Sequence, residues 1–304
     1  MDTVLAIRAF IETVESGGFS SAARRLGVAP SVVMKRVNHL EHVTKSTLLR
    51  RTTREVRLTE AGMRSLDSLR RVVREMDDVL DGLRRADDAP LGRLRIGTPP
   101  ALTAMHLATV FSEFARSQPR VDVDVVLIDH PTNPVEHGFD FVIGAFSETY
   151  DGVTDTPLFP LRRMVCGTPS YFDRLGRPKH PRDLFMHNCL VLSPSGANWE
   201  FRGKRGVYRI PVHSSFSAND ARVLCTAAVA GHGIALLPSY VAVPAIRRGE
   251  LEQVLTDYTA VGMWFKTFVP DRLTDSRAVV ALLDFVREKL SPIPPWERSD
   301  RRGR

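Results

Sequence analysis

Ser31, Lys35, Asn38 and His42 recur at intervals of four, three and four residues, the spacing that aligns side chains along one face of an α-helix. Ser, Lys and Asn on such a stripe, with Met34 and Arg36 beside them, carry donors and acceptors that pair with base edges in a DNA major groove. A little further along, Arg50, Arg51, Arg54 and Arg57 surround Thr52 and Thr53. Arg51 and Arg54, nearest the turn, suit a narrow A·T-rich minor groove, and Arg50 and Arg57 suit phosphates. Bond-making chemistry leaves no comparable signature. GxSxG, HExxH and Walker patterns are absent. The glycines of "GHGIAL" open a strand rather than a helix, which does not suit a nucleotide. Cys166, Cys189 and Cys225 are too widely spaced for a disulfide framework or a CxxC metal site. The expectation is a binding protein, not an enzyme, with no metal and no cofactor.

Charge is concentrated where those residues lie. From Arg24 to Arg57, nine Lys or Arg against two Glu leave +7, the formal net charge of all 304 residues. Such a patch is the electrostatic footprint of a polyanion-binding surface. The chain is 43% hydrophobic and 25% charged, ordinary globular usage with material for two or three domains. No segment approaches about 18 uninterrupted apolar residues, and the first residues lack the basic and apolar regions of a signal peptide. A cytoplasmic protein without a membrane partner is expected.

The basic stripe needs helices to hold it. Val4, Ile7, Phe10, Ile11 and Val14 share one helical face, and "SGG" ends that helix. A short second helix, capped by Ser20 or Ser21, turns Ala22, Ala23 and Leu26 inward and leaves Arg24 to meet the phosphate backbone. Ala29, Pro30 and Ser31 open a third, with Val33, Val37 and Leu40 inward and Val32 joining the outward set. Two helices joined by about four residues form a helix-turn-helix. Leu48 and Leu49, then Val56 and Leu58, flank the Thr and Arg turn as a two-stranded hairpin, a wing.

The run "AFIETVESGGFSSAARRLGVAPSVVMKRVNHLE" followed by "LLRRTTREVRLTEAG" resembles the DNA-binding half of LysR-type transcriptional regulators. Phe10, Phe19, Ala22, Ala23, Leu26, Leu40, Glu41, Arg51, Leu58, Thr59 and Gly62 fall at the family's spacing. Ala29 and Met34 stand where the family usually has serines, and Thr44 and Lys45 where it has Leu-Gly. The missing hydroxyls imply a different operator or greater reliance on Arg and Lys.

Leu66, Leu69, Val73, Met76, Leu80 and Leu83 then alternate spacings of three and four, the seam of a coiled coil along a helix of about 40 Å. The resemblance implies that this helix pairs two chains; packing against the chain's own C-terminal half is the alternative. After "DDAPLGR", strands and helices alternate as in a parallel open sheet. "GTPSYFDRLGRPKHPRDLFMHNCLVL" and "SANDARVLCTAAVAGHGIALLPSYVA" extend the resemblance, which implies a two-lobed effector domain like a periplasmic binding protein.

The expected organisation is α/β: a winged helix-turn-helix (1–58), a dimerisation helix (59–89), an effector domain (90–290) and a flexible basic tail (291–304). Lobe I is placed at 91–162 and 267–290, lobe II at 163–266, with crossings near Leu161 to Arg163 and Phe265 to Phe268. Effectors of such sheets bind at strand C-terminal ends. That selects Thr98, Pro99, Pro100 and Ala101, Ile128 and Asp129, Gly144, Ser193 and Ser195, and Asn219. The resemblance places an Arg where this chain has Gly144; Phe146, Trp199 and Phe265 are aromatic alternatives for the wall. The reading is a sequence-specific regulator modulated by a small effector. Its partners are double-stranded DNA, other copies of itself as a dimer or tetramer, and RNA polymerase if it activates. A non-specific architectural protein, or a redox-responsive regulator sensing through Cys225, are the alternatives.

Overall fold

The computed structural model describes residues 2–51, 56–83, 90–290 and 293–298, and the chain divides near residues 89 and 90 into two compact units. In the first, α1 (Thr3–Glu15), α2 (Phe19–Leu26) and α3 (Pro30–Thr44) pack around Phe10, Val33, Val37 and Leu40. The Asp2 carboxylate caps α1 by accepting from the Val4 N–H at 2.8 Å. α2 starts two or three residues earlier than expected. Its cap is extended Gly18, so Ser20 and Ser21 lie inside the first turn and cap nothing.

β1 (Leu49–Arg51) and β2 (Val56–Leu58) are antiparallel, with Arg50 opposite Arg57. The Glu41 carboxylate accepts from the N–H groups of Leu48 and Leu49, at 2.8 and 3.0 Å, and so ties the wing to α3. At the start of α4 (Glu60–Leu83) the Thr59 hydroxyl donates to the Thr47 carbonyl at 2.6 Å and accepts from the Gly62 N–H at 3.0 Å. A Cβ on Gly62 would lie 2.2 Å from the Leu48 carbonyl oxygen, so only glycine allows this approach.

The expected seam of α4 divides along its length. Leu66, Leu69 and Val73 pack on the core of their own winged helix, and Arg70 pairs with Glu15 at 3.1 Å on α1. Further along, Leu80 is 40% exposed and Met76 half-buried; the Leu83 side chain lies outside the described residues. The physical reason is drift: a straight helix turns every 3.6 residues, so a 3.5-residue stripe does not keep one face over four turns. Val72 and Met63, outside the stripe, are instead exposed.

The second unit holds two five-stranded sheets. Its main elements, short helical turns aside, are in chain order β3 (Gly92–Thr98), α5 (Pro100–Leu102), a π-helical turn (Thr103–Leu107), α6 (Ala108–Ser117), β4 (Val121–Leu127), β5 (Phe141–Gly144) and β6 (Val153–Leu161). Then come β7 (Arg163–Gly167), α7 (Pro169–Leu175), β8 (Cys189–Leu192), β9 (Asn198–Gly203), β10 (Gly206–Pro211), β11 (Phe216–Ala218), α8 (Ala221–Val229), β12 (Ile234–Pro238) and α9 (Ser239–Arg247). β13 (Glu252–Val254), β14 (Thr259–Ala260), β15 (Met263–Pro270) and α10 (Arg277–Leu290) complete it. Lobe I has strand order β4-β3-β5-β15-β6, and lobe II β11-β8-β12-β7-β13; β10-β9-β14 form a small third sheet. β4, β3 and β5 are parallel, as are β11, β8 and β12. The apolar runs of β5 and β12 are buried throughout, as a sheet covered on both faces requires.

The first crossing between lobes is Arg162. The second falls at Val261 and Gly262, earlier than expected, because β15 is already paired in lobe I at Met263, opposite Leu161. Phe265 therefore belongs to lobe I. The tail is also corrected. Among its described residues, Pro295–Glu297 form a 3-10 turn and Trp296 is 5% exposed, packed into the core of lobe I.

Candidate functional site

On the first unit, the inward positions of α3 are Val33, Val37 and Leu40, and helical geometry then fixes what faces out. Ala29, Pro30, Ser31, Val32, Met34, Lys35 and Asn38 are exposed, Arg36 half-buried. Ala29 is the extended cap and Pro30 the first helical residue, leaving the first turn of α3 open at its N-terminus. Arg24 is exposed on α2, and its guanidinium donates to the Ser21 hydroxyl at 3.1 Å. Arg25 instead pairs with Glu12 at 2.9 Å. Arg50 is exposed on β1; the side chain of Arg51, and Thr52, Thr53 and Arg54 as a whole, lie outside the described residues. The Thr44 and Lys45 departure has a structural answer: Lys45 itself takes the left-handed conformation, φ 49°, that ends α3. That backbone costs a non-glycine residue about 1 kcal/mol.

On the second unit, a cavity of about 490 Å³ opens between the lobes, within the usual range of small-molecule sites. Every expected wall segment that reaches it follows a strand: Pro99, Pro100 and Ala101 after β3, Ile128 and Asp129 after β4, Phe146 after β5, Ser195 after β8, Asn219 after β11. Phe265 and Trp199 also line it. Three expected residues do not. Thr98 is fully buried behind the wall, its hydroxyl accepting from the Thr103 hydroxyl at 2.8 Å. Gly144 is covered by Phe146, whose ring lies 2.1 Å from where a Cβ would sit, and Ser193 is outside the lining. Phe146 packs in turn on Phe268, ring centroids 5.8 Å apart.

The polar wall was largely missed. Four carboxylates, Asp129, Glu148, Glu200 and Asp220, and one guanidinium, Arg163, line the cavity among the described residues. Asn219 Nδ2 donates to Asp129 Oδ2, joining lobe II to lobe I. Hydrogen bonds from His130, then Asn219, hold the Asp129 carboxyl below its ordinary range. Arg222, at 2.6 Å, does the same for Asp220, which caps α8. Arg163 donates through Nη2 to the Val261 carbonyl at 2.8 Å, and its buried Nε meets no hydrogen-bond partner among the described residues. Burial lowers its pKa against the opposing pull of Glu200. Arg163 was legible only as a lobe crossing; nothing local marks a charged strand start as cavity wall.

Burial raises the thiol of Cys225 and pushes those of Cys166 and Cys189 up to about 12. Neutral thiols are poor nucleophiles, so the environment of Cys225 does not favour oxidation. No cluster of three metal-ligating side chains occurs among the described residues, and no described helix is long and apolar enough to cross a membrane.

Residues 5–63 match the bacterial regulatory helix-turn-helix protein, lysR family, and residues 87–291 the LysR substrate binding domain. The chain is 32% identical over 284 residues to the uncharacterized HTH-type transcriptional regulator YhjC of Escherichia coli K12, covering 92% of this chain and 95% of that one. It is 29% identical over 262 residues to the transcriptional activator TtdR of the same organism, covering 85% and 84%. Among solved structures, CrgA, a LysR-type transcriptional regulator from Neisseria meningitidis, superposes with a TM-score of 0.61 at 26% identity, covering 95% of this chain and 99% of that one.

Proposed function

Because the chain belongs to the LysR family of transcriptional regulators, we propose that it reads an operator through the outward face of α3 and the wing, and reports a small effector held between the lobes. The fold class and the regulatory role follow from membership; the assignment of residues is this reading. Ser31, Lys35 and Asn38 take the base edges, Arg24 and Arg50 the phosphates, and the wing arginines the minor groove. The observation that carries the effector site is the cavity itself, at the carboxyl ends of strands from both sheets. Its wall offers aromatic surface from Phe146, Trp199 and Phe265 and polar groups of both signs. No catalytic step, metal or cofactor belongs to the reading.

The working form is a cytoplasmic homodimer or tetramer, contacting RNA polymerase where it activates. The exposed apolar residues of α4, Val72 and Leu80, are the surface offered to a second copy. Effector binding favours one lobe arrangement, and the change passes to the spacing of paired winged helices on DNA. Titration of operator-containing against random DNA at one fixed salt concentration tests the specific reading, which requires a preference of about 10³ or more. Equal affinity would instead identify an architectural DNA-binding protein.

A further inference from the structure

The match to the effector-domain family ends at residue 291, yet the next described segment is built into the domain. The indole of Trp296 stacks on His106 of the lobe I π-turn, centroids 4.3 Å apart, and meets Phe159 of β6 at 5.7 Å. Its other neighbour is Tyr240, at 5.7 Å, on α9 of lobe II. Trp296 therefore touches both lobes. Glu297 ties the crossing to lobe II: one carboxylate oxygen accepts from Arg162, the first crossing residue, at 3.0 Å, and the other from the Ser239 hydroxyl, at 2.8 Å, on α9. Downstream, Arg247 at the far end of α9 donates to the Arg298 carbonyl at 2.8 Å. His106 also meets the Tyr240 ring edge-on, centroids 6.2 Å apart.

We propose that Pro294–Arg298 is a strap that fixes the angle between the lobes, with Trp296 and Glu297 as positioning residues acting through Tyr240 and Arg162. Tyr240 is the link to the cavity, since it lines the cavity while its ring packs on Trp296 and, at 6.1 Å, on Phe265. A segment that only covered an apolar patch would need the indole alone. The two-ended engagement of Glu297, whose side chain is 11% exposed, adds charged and polar contacts that hold the crossing residue and α9 to the segment docked by Trp296. A consequence for effector affinity rests on the reading that the cavity binds the effector; the mechanical role does not.

Hydrogen exchange on the full-length protein, without effector or DNA, tests the strap and leaves the effector reading untouched. The reporters are peptides covering 157–163, across the crossing, and 237–243, across the start of α9. Controls are β3 and α1. Trp296→Ala and a chain ending at Leu290 are expected to exchange about tenfold faster in both reporters with controls unchanged, and Trp296→Phe to stay within about twofold of the parent. Glu297→Ala, the milder variant, is expected to loosen the same two peptides if Trp296→Ala does not fold. Unchanged reporters in Glu297→Ala and the truncated chain would overturn the proposal. Acceleration spread equally over reporters and controls would also overturn it, showing a general stabilising role instead.

Discussion

Asn219, in lobe II, donates its side-chain amide to the carboxylate of Asp129, in lobe I, so the lobes are fastened across the cavity by one neutral donor and one anion. His130 is the larger cause of the lowered Asp129 pKa, Asn219 the second. His130→Ala is therefore expected to move the Asp129 titration upward more than Asn219→Ala does, as followed by carboxyl NMR. Because the folded-state pKa is depressed, the fastening is present above the ordinary carboxylate pKa and is lost as pH falls through the lower folded-state value. A larger shift from Asn219→Ala would contradict this ordering.

The wing hangs on Glu41. Removing its carboxylate leaves the Leu48 and Leu49 N–H groups without that acceptor, and Glu41→Ala is expected to cost about 2–4 kcal/mol, read from chemical denaturation of the full chain. Lys45→Gly should act in the opposite direction. It relieves a left-handed backbone at a non-glycine residue and is expected to stabilise by about 1 kcal/mol. Destabilisation by Lys45→Gly would show that the lysine side chain contributes more than its backbone costs.

Arg24 and Asn38 divide the work of binding. Arg24→Ala is expected to weaken all DNA alike and to lower the slope of log affinity against log salt by about one. Asn38→Ala is expected to leave that slope and to cost about 1–3 kcal/mol on the operator only. Anisotropy titrations on operator and random duplexes separate the two; equal losses on both duplexes would remove Asn38 from the reading face.

Leu69 and Leu80 are both leucines of the same helix stripe, with different fates. Leu69→Asp is expected to unfold the winged helix, since Leu69 packs on its core, and Leu80→Asp to keep the fold while shifting sedimentation toward the monomer. Unchanged sedimentation of Leu80→Asp and Val72→Asp together would exclude α4 as the pairing surface.

Cys166 and Cys189 are expected to resist iodoacetamide at pH 7 in the folded protein and to react on unfolding, as read by mass spectrometry. Their raised folded-state values also have a sign: the stability they confer is complete below the unfolded thiol pKa and is lost as pH rises toward about 12. Labelling at the rate of a free thiol would contradict the burial.

The helix-turn-helix was legible because its evidence is local: helical spacing of apolar residues, Pro30 at a helix start, Gly27 at a helix end. The cavity's apolar wall was legible for a different reason, since strand ends converge wherever parallel sheets face each other. Thr98 sits at such an end and was misplaced, because the alternation of a strand decides which side chain turns inward and the partner, Thr103, lies a helical turn away. Arg163, Tyr240 and Trp296 escaped notice because their roles depend on contacts between segments far apart in the chain. The stripe on α4 does not by itself say what covers it, since one period serves equally for a second chain and for the chain's own core, where Leu66, Leu69 and Val73 pack.

Among the described residues the main chain passes between the lobe I and lobe II sheets at Arg162 and again at Val261 and Gly262, and Arg163 binds the second crossing to the first through the Val261 carbonyl. Two tethers so bound define a line. Sliding or twisting of one lobe over the other would stretch one tether against its neighbour, whereas rotation about that line bends both by small changes in a few dihedral angles. The two crossings thus leave a single angular coordinate, like a door on two pins, and the fastening of Asn219 to Asp129 across the cavity sets where on that coordinate this structure stands.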